Sequence, residues 1–270
     1  MIRYSPSSLG QGLAEITINA YVHENHVVFA QLKGDDKSNE ITAIPSLLEM
    51  LQLKKATVTI DAMGYQKDIA QKIVERRGQY VPALKGNQSA LHDDVQVLMD
   101  DRIASGVTRQ GDYYETVEKS HGRIEIRKCW TCWQVDWMTQ RHAWPGLASI
   151  VAVECTRTLR DKTSTERRYF LSSHSGRQAQ KLAALIRNHW RVENQLHWTL
   201  DVCFNEDQCR VRVANAAQNL ARIRRISLLR LKQERTCKLG IQSKRTKAAY
   251  DRDYLLTFLG FRRDNGTAAT

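Results

Sequence analysis

The sequence has no apolar run that approaches the ~18 residues of a membrane-spanning helix, and its N-terminal stretch has no apolar segment of the signal-peptide kind. Its cysteines lack the spacing of a disulfide framework, so we expect reduced thiols: they are Cys129, Cys132, Cys155, Cys203, Cys209 and Cys237. The one CxxC pair, Cys129 and Cys132, has no suitably spaced second pair, which argues against zinc. These absences predict a soluble cytoplasmic protein without a membrane partner.

Acidic residues are in short supply. The 270 residues include 41 Lys and Arg against 29 Asp and Glu, a formal net charge of +12. Residues 210–263 hold 15 Lys and Arg against three Asp and Glu, so this basic segment carries the whole excess. Such a concentration of positive charge is typical of proteins that bind nucleic acid. A solvated helix face is the alternative interpretation.

The N-terminal third alternates between β-type and helical patterns. Residues 13–21 and 26–33 predict an antiparallel hairpin, and an apolar helical pattern follows Asn39. Residues 56–61 and 80–84 predict two parallel strands joined by a helix that Gly78 ends. Asp61 and residues 85–88 would then lie beyond the carboxyl ends of those strands, where functional groups gather. A loop or helix-cap role explains Asp61 equally well, and Pro82 predicts that the second strand lies toward the sheet edge.

The middle of the chain changes character. Helical patterning over residues 89–103 gives way to β-branched runs between residues 111 and 173, which predict a mostly antiparallel insertion. Its tryptophans suit a small core or base stacking. His121, Gly122 and Arg123 form a turn before a strand, which suits phosphate contact and also suits a plain turn.

Residues 179–207 predict an amphipathic helix, and Glu193 borders its apolar stripe. A carboxylate at that margin could share a divalent cation with a second carboxylate on the element against which the helix packs. The alternative is a surface ion pair with Arg187 or Arg191. A further helix over residues 215–232 is predicted to bury Ile223 and Ile226, before an irregular basic stretch and a last helix at 254–259.

Five strings extend these patterns to most of the chain: DDKSNEITAIPSLLEML at 35–51, TIDAMGYQKDIAQKI at 59–73, ALKGNQ at 83–88, SHGRIEIR at 120–127 and IRNHWRVENQLHWTLDVCFNED at 186–207. In this order they resemble the transposases of the H-repeat-associated, As1-type insertion sequences. The resemblance implies DDE chemistry on a ribonuclease-H-like fold, with Asp61 as the second acid, Glu193 as the third, and Mg²⁺ or Mn²⁺ as cofactor. It also implies DNA as partner, in the form of terminal repeats and target DNA. The candidate DNA contacts are Lys85, Asn87, Gln88, His121, Arg123, His189, Asn194, His197, Arg222 and Arg225.

One departure from the family pattern concerns the first acid. In relatives it lies in an Asp-Gly-Lys string at a strand end, and Met1-Ile2-Arg3-Tyr4-Ser5 resembles the residues just after that string. We therefore expect an N-terminally truncated transposase with a bare strand edge beside the hairpin and little or no activity of its own. A non-catalytic DNA-binding remnant is the main alternative, and a cellular ribonuclease-H-like nuclease is a further one.

The predicted fold class is α/β, a ribonuclease-H-like mixed sheet with flanking helices that is interrupted by a mostly antiparallel β insertion. The predicted division places the first part of the core at 12–105, the insertion at 106–175, the catalytic helix at 176–210 and a basic helical segment at 211–270. A homo-oligomer on DNA is also expected.

Overall fold

The computed structural model describes residues 2–6, 16–22, 27–33, 40–60, 66–85, 89–106, 109–120, 122–160, 162–192, 196–211, 213 and 215–261. Its first sheet comprises β1 (Ile2–Pro6), β2 (Ile16–Val22) and β3 (Val27–Lys33), antiparallel in that order. The predicted hairpin, β2 with β3, is confirmed. The predicted bare edge is wrong, because β1 pairs with β2 from Ile2 opposite Ala20 to Pro6 opposite Ile16. The pairing occupies backbone groups of β2 that would otherwise be open on that side.

The predicted strand–helix–strand unit follows α1 (Glu40–Glu49). β4 (Thr57–Val58) and β5 (Gln79–Tyr80) are parallel, and α2 (Lys67–Glu75) connects them. α2 buries Ile69, Ala70 and Ile73 because these apolar positions share one helical face. The Gly78 amide donates to the Ile73 carbonyl at 2.9 Å, which closes the helix as predicted, although Arg77 takes the left-handed conformation with φ 60°.

The main sheet has the order β6-β10-β9-β8-β7 with antiparallel neighbours. Its strands are β6 (Ala83–Leu84), β7 (Gly111–Ser120), β8 (Arg123–Cys132), β9 (Ser149–Leu159) and β10 (Lys162–Ser172). Strands 111–172 therefore share one sheet with β6. The division of the chain into four segments stays a prediction.

Pro82 does not mark a sheet edge, contrary to the sequence prediction. Its segment runs between two neighbours: the Val81 amide donates to Val58 at 3.0 Å, and on the other side the Leu171 amide donates to the Pro82 carbonyl at 3.2 Å. The strand is interrupted between β5 and β6, where a residue without an N–H is tolerated. This chain of hydrogen bonds joins the parallel pair to the main sheet.

Helices cover both faces of the main sheet. On one face, α1, α2 and α3 (Ser89–Ala104) share a core with Tyr80, Ile150 and Leu171. α4 (Ala179–Val192) lies on the other face, where Ala179, Leu182 and Ile186 pack on residues of β8, β9 and β10. A mixed sheet between helical layers agrees with the predicted α/β, ribonuclease-H-like class.

The C-terminal helices are α5 (Trp198–Phe204), α6 (Ala216–Gln233), α7 (Ile241–Tyr250) and α8 (Arg252–Leu259). α7 lies in the stretch that was predicted to be irregular. The predicted inner face of α6 is also wrong: Ile223 and Ile226 are exposed, while Arg225 and Leu228 are buried. Arg225 is accommodated inside because its guanidinium donates to Glu206 at 2.7 Å. No helix in the described part of the chain has the length and apolar character that a membrane crossing requires.

Candidate active site

A buried contact joins the strand that precedes Asp61 to the helix that precedes Glu193. Thr59 follows β4 and His189 lies on α4, and the His189 Nδ1 and Thr59 Oγ1 atoms are 3.1 Å apart. Thr59 is 6% exposed and His189 is 9% exposed. Polar groups this deep are hydrogen-bonded in most proteins, so the contact fixes how α4 crosses the end of β4.

The two predicted acids follow this contact along each element. Asp61 comes two residues after Thr59, and Glu193 comes four residues after His189. Asp61 and Glu193 lie outside the described residues, and so do four predicted DNA contacts, namely Asn87, Gln88, His121 and Asn194.

The surroundings of the Thr59–His189 contact are mostly apolar. A small cavity there is lined by Ile60, Val81, Phe170 and Ile186, together with the Trp190 side chain. The His189 ring meets Trp190 edge to face, with 5.9 Å between ring centroids. Thr59 was missed by the sequence prediction. Its place two residues before Asp61 in the predicted strand 56–61 was a usable signal, because alternate residues of a strand point to the same face.

Lys85 lies where the sequence prediction put it, just after β6 and exposed to solvent. β5 runs parallel to β4, and β6 continues the segment of β5, so Lys85 lies at the end of the sheet at which the described segment of β4 also ends, at Ile60. Asp61 is the next residue in the sequence.

Four further predicted DNA contacts are described, and their settings differ. Arg123 is 43% exposed with Nη2 3.3 Å from Glu125, Arg222 is exposed on α6, and His197 is half-buried just before α5. Arg225 instead lies inside the fold, where both its terminal nitrogens contact Glu206 at 2.7 and 3.3 Å. His189, as shown above, is likewise directed inward.

The C-terminal helices are joined through the Glu234 carboxylate, whose side chain is 5% exposed. Tyr254 donates its hydroxyl to this group at 2.8 Å, Lys244 lies 3.2 Å away, and the Cys237 amide also donates. Burial by itself raises the pKa of Glu234, but the hydrogen bonds that the carboxylate accepts outweigh this effect and lower the pKa to about 2. α6, α7 and α8 are thereby linked, and exposed cations remain around them at Arg222, Arg235, Lys238, Arg245 and Arg252.

Among the described residues, no three His, Cys, Asp or Glu side chains form a group that could hold a metal ion. The buried Cys129 thiol, one half of the CxxC pair, has its pKa raised to about 12 by burial and by the charge of Asp112. Burial therefore favours the neutral thiol in the metal-free protein.

The mixed sheet with helices on both faces defines the fold class as α/β. Comparison with known families makes the assignment specific, because the family model described as "Transposase DDE domain" matches residues 17–230. The chain belongs to this family, as its sequence motifs predicted.

Curated relatives agree with the family assignment. The chain is 41% identical over 247 residues to "Putative protein YbfL" and to "H repeat-associated putative transposase YhhI", both of Escherichia coli K12, covering 90% of this chain and 65% of each relative. It is 39% identical over 257 residues to "Putative transposase YncI" of Escherichia coli O157:H7, again across 65% of the relative. The chain therefore spans about two thirds of the length of these relatives.

Proposed function

We propose that this chain is a DDE transposase polypeptide that acts on DNA, with metal-dependent phosphodiester cleavage and strand transfer at the ends of an insertion sequence. The observation that carries the proposal is the 3.1 Å contact between Thr59 and His189. It brings together the segments that lead to Asp61 and to Glu193, the two residues that we propose as the second and third acids.

The position of the acids follows from element geometry. Residues two apart on a strand share a face, and residues four apart on a helix lie one turn apart on the same side. Asp61 and Glu193 would thus project beyond the Thr59–His189 contact from opposite sides. We expect their carboxylates to approach within roughly 4 to 8 Å, the range that one or two shared cations need.

The donor set fits a hard divalent cation. Two carboxylates offer the oxygen ligands that Mg²⁺ and Mn²⁺ prefer, and we assign both acids as ligands. When bound, such cations would activate the attacking water or 3′-hydroxyl and stabilise the leaving oxygen. His189 and Thr59 position the helix that carries Glu193, and Lys85 is placed to bind a phosphate at the same sheet edge.

DNA contacts outside the acids are proposed at exposed groups. Lys85, Arg123 and Arg222 can donate to phosphates, and the exposed cations of the basic segment would add attraction along the duplex. Asn87, Gln88, His121, Asn194 and His197 remain proposed contacts through the family motifs. We leave Arg225 and His189 out of the DNA contacts, since each is held inside the fold by Glu206 and Thr59 respectively. The proposed partners are terminal-repeat and target DNA, with a homo-oligomer assembled on them.

A second candidate function is DNA binding without catalysis. It is favoured by one observation: exposed cations lie along the C-terminal helices, among them Arg222, Lys238 and Arg245. Attraction between such a surface and the phosphates of a duplex needs neither a metal nor a catalytic carboxylate.

Cleavage of terminal inverted-repeat DNA with Mg²⁺ distinguishes the two candidates. The chain would be assayed as it stands and with an upstream strand ending in Asp-Gly-Lys, each with Glu193→Gln and with Glu75→Gln as a control at an exposed residue of α2. We expect the extended chain to cleave and Glu193→Gln to remove that cleavage, with Glu75→Gln unaffected. Binding without cleavage in both forms would favour the second candidate, and equal Glu193-dependent cleavage in both would show that the first acid is dispensable.

A further inference from the structure

A groove lies between α4 and the face of β7, β8, β9 and β10 that α4 only partly covers. Its volume is about 770 Å³, and its lining includes five arginines and Lys128 against three glutamates. We call it the arginine groove, after Arg123, Arg127, Arg157, Arg168 and Arg187.

Each of the five arginines pairs with one of the three glutamates, Glu118, Glu125 or Glu166, but the six cations of the lining outnumber these three acids by three. Glu125, whose side chain is 5% exposed, has Arg123 at 3.3 Å and Arg157 at 3.5 Å, and Arg127 also donates to it. One carboxylate therefore faces three guanidinium groups. Arg123 and Arg157 remain 43% and 52% exposed, so donors of both still face the solvent of the groove.

The other end of the groove leads toward the proposed acids. Arg168 lies over the Trp190 ring, with Cζ 4.1 Å from the ring centroid, and Trp190 lines both the groove and the small cavity beside Thr59 and His189. Trp190 comes three residues before Glu193. The groove and the small cavity therefore border each other at three shared lining residues, Phe170, Ile186 and Trp190.

Size and charge define the occupant. A volume of about 770 Å³ corresponds to a cube with edges of about 9 Å, and the major groove of a duplex alone is about 12 Å across, so a whole duplex does not enter this groove. One DNA strand fits, because single-strand sites combine a basic groove for the backbone with flat side chains for the bases. The guanidinium plane of Arg168, supported by Trp190, is a surface on which a base can stack.

We propose that the arginine groove binds a single DNA strand, with phosphates on Arg123 and Arg157 and a base against Arg168 and Trp190. The strand would be the unpaired end that leads into the Asp61–Glu193 site. This proposal rests on the proposed function for the identity of its substrate. It requires neither metal nor catalysis.

Fluorescence anisotropy of a labelled oligothymidylate, without metal, tests the proposal. The double variant Arg123→Ala/Arg157→Ala is expected to weaken binding by about tenfold or more and to reduce the magnitude of the salt slope by about 0.7 per lost phosphate contact. Arg141→Ala is the matched control, because Arg141 is also 43% exposed and paired with a single carboxylate, Asp136, outside the groove. Its binding should equal that of the parent chain.

A second measurement maps the contact in the parent chain itself. Photocrosslinking with an oligonucleotide that carries 5-iodouracil should label peptides that line the groove, with Trp190 or Tyr114 as acceptors. Unchanged affinity in the double variant, or crosslinks confined to residues 210–261, would overturn the proposal. The double variant is scored on binding without metal and Glu193→Gln on cleavage with Mg²⁺, so loss of strand binding and loss of cleavage are separate results.

Discussion

The contact between Thr59 and His189 can be tested by replacing Thr59 with valine. Valine keeps the shape of threonine and removes only the Oγ1 atom that lies 3.1 Å from His189 Nδ1. A net hydrogen bond contributes about 1 kcal/mol, and a buried partner deprived of one costs about 1–3 kcal/mol. Since both side chains are nearly buried, we expect Thr59→Val to lower the free energy of unfolding by about 1–2 kcal/mol.

A double-mutant cycle isolates the pair from other effects. Thr59→Val, His189→Leu and the double variant would be unfolded in urea at pH 7 and followed by circular dichroism, and we expect a coupling of about 0.5–1.5 kcal/mol. Thr156→Val serves as control, because its hydroxyl pairs with Thr165 at 3.1 Å in an exposed position and should cost under about 0.5 kcal/mol. A coupling of zero within error would refute the claim that this contact holds α4 to the strand before Asp61.

Two further predictions concern the C-terminal helices. Glu234→Gln should destabilise the protein by about 3 kcal/mol at pH 7, because donors depress the pKa of the folded carboxyl to about 2. This stabilisation is present above the unfolded pKa near 4.5 and is lost as the pH falls toward 2. The melting temperatures of the parent and the variant should therefore converge between pH 4.5 and 2. Melting temperatures that differ by the same amount throughout this range would contradict the assignment. Replacing the exposed cations Arg222, Lys238 and Arg245 with alanine should weaken duplex binding and shift the slope of log affinity against log salt by roughly 0.9 per lost contact. The control is a triple alanine variant of Lys54, Arg109 and Lys162, which are also exposed and should leave affinity and slope unchanged. Anisotropy titrations at several salt concentrations would measure both variants.

The spacing of apolar residues predicted most of the helices and strands, because each element with one buried face places its apolar residues on that face. The parallel pair β4–β5 and the helix α2 follow directly from a buried strand, an amphipathic helix and a second buried strand. Failures arose where a single tertiary contact outweighs the local pattern. Arg225 turns inward because Glu206 receives it, and that rotation exposes Ile223 and Ile226.

In the candidate site, too, the features that follow a local sequence pattern were predicted, and those that depend on distant residues were not. The strand end at Asp61 and the helix edge at Glu193 were predicted from their patterns, and the family motifs gave them roles. Thr59 and the arginine groove were not predicted, because each depends on residues far apart in sequence. Arg123 and Arg157 come from β8 and β9, and the antiparallel register of these strands sets them on one face. Arg187 comes from α4, which packs on that face.

Iron-directed cleavage of the protein backbone tests most directly whether Asp61 and Glu193 share a divalent cation. Fe²⁺ with ascorbate and peroxide would be bound in place of Mg²⁺, and hydroxyl radicals formed at the ion cut the nearest backbone. The proposed site predicts cuts in both segments, near residue 61 and near residue 193, that excess Mg²⁺ suppresses and that Asp61→Asn or Glu193→Gln removes together. Asp68→Asn, on the exposed side of α2, should leave both cuts in place. Cuts at only one of the two segments, or cuts that survive both acid substitutions, would contradict a shared metal site.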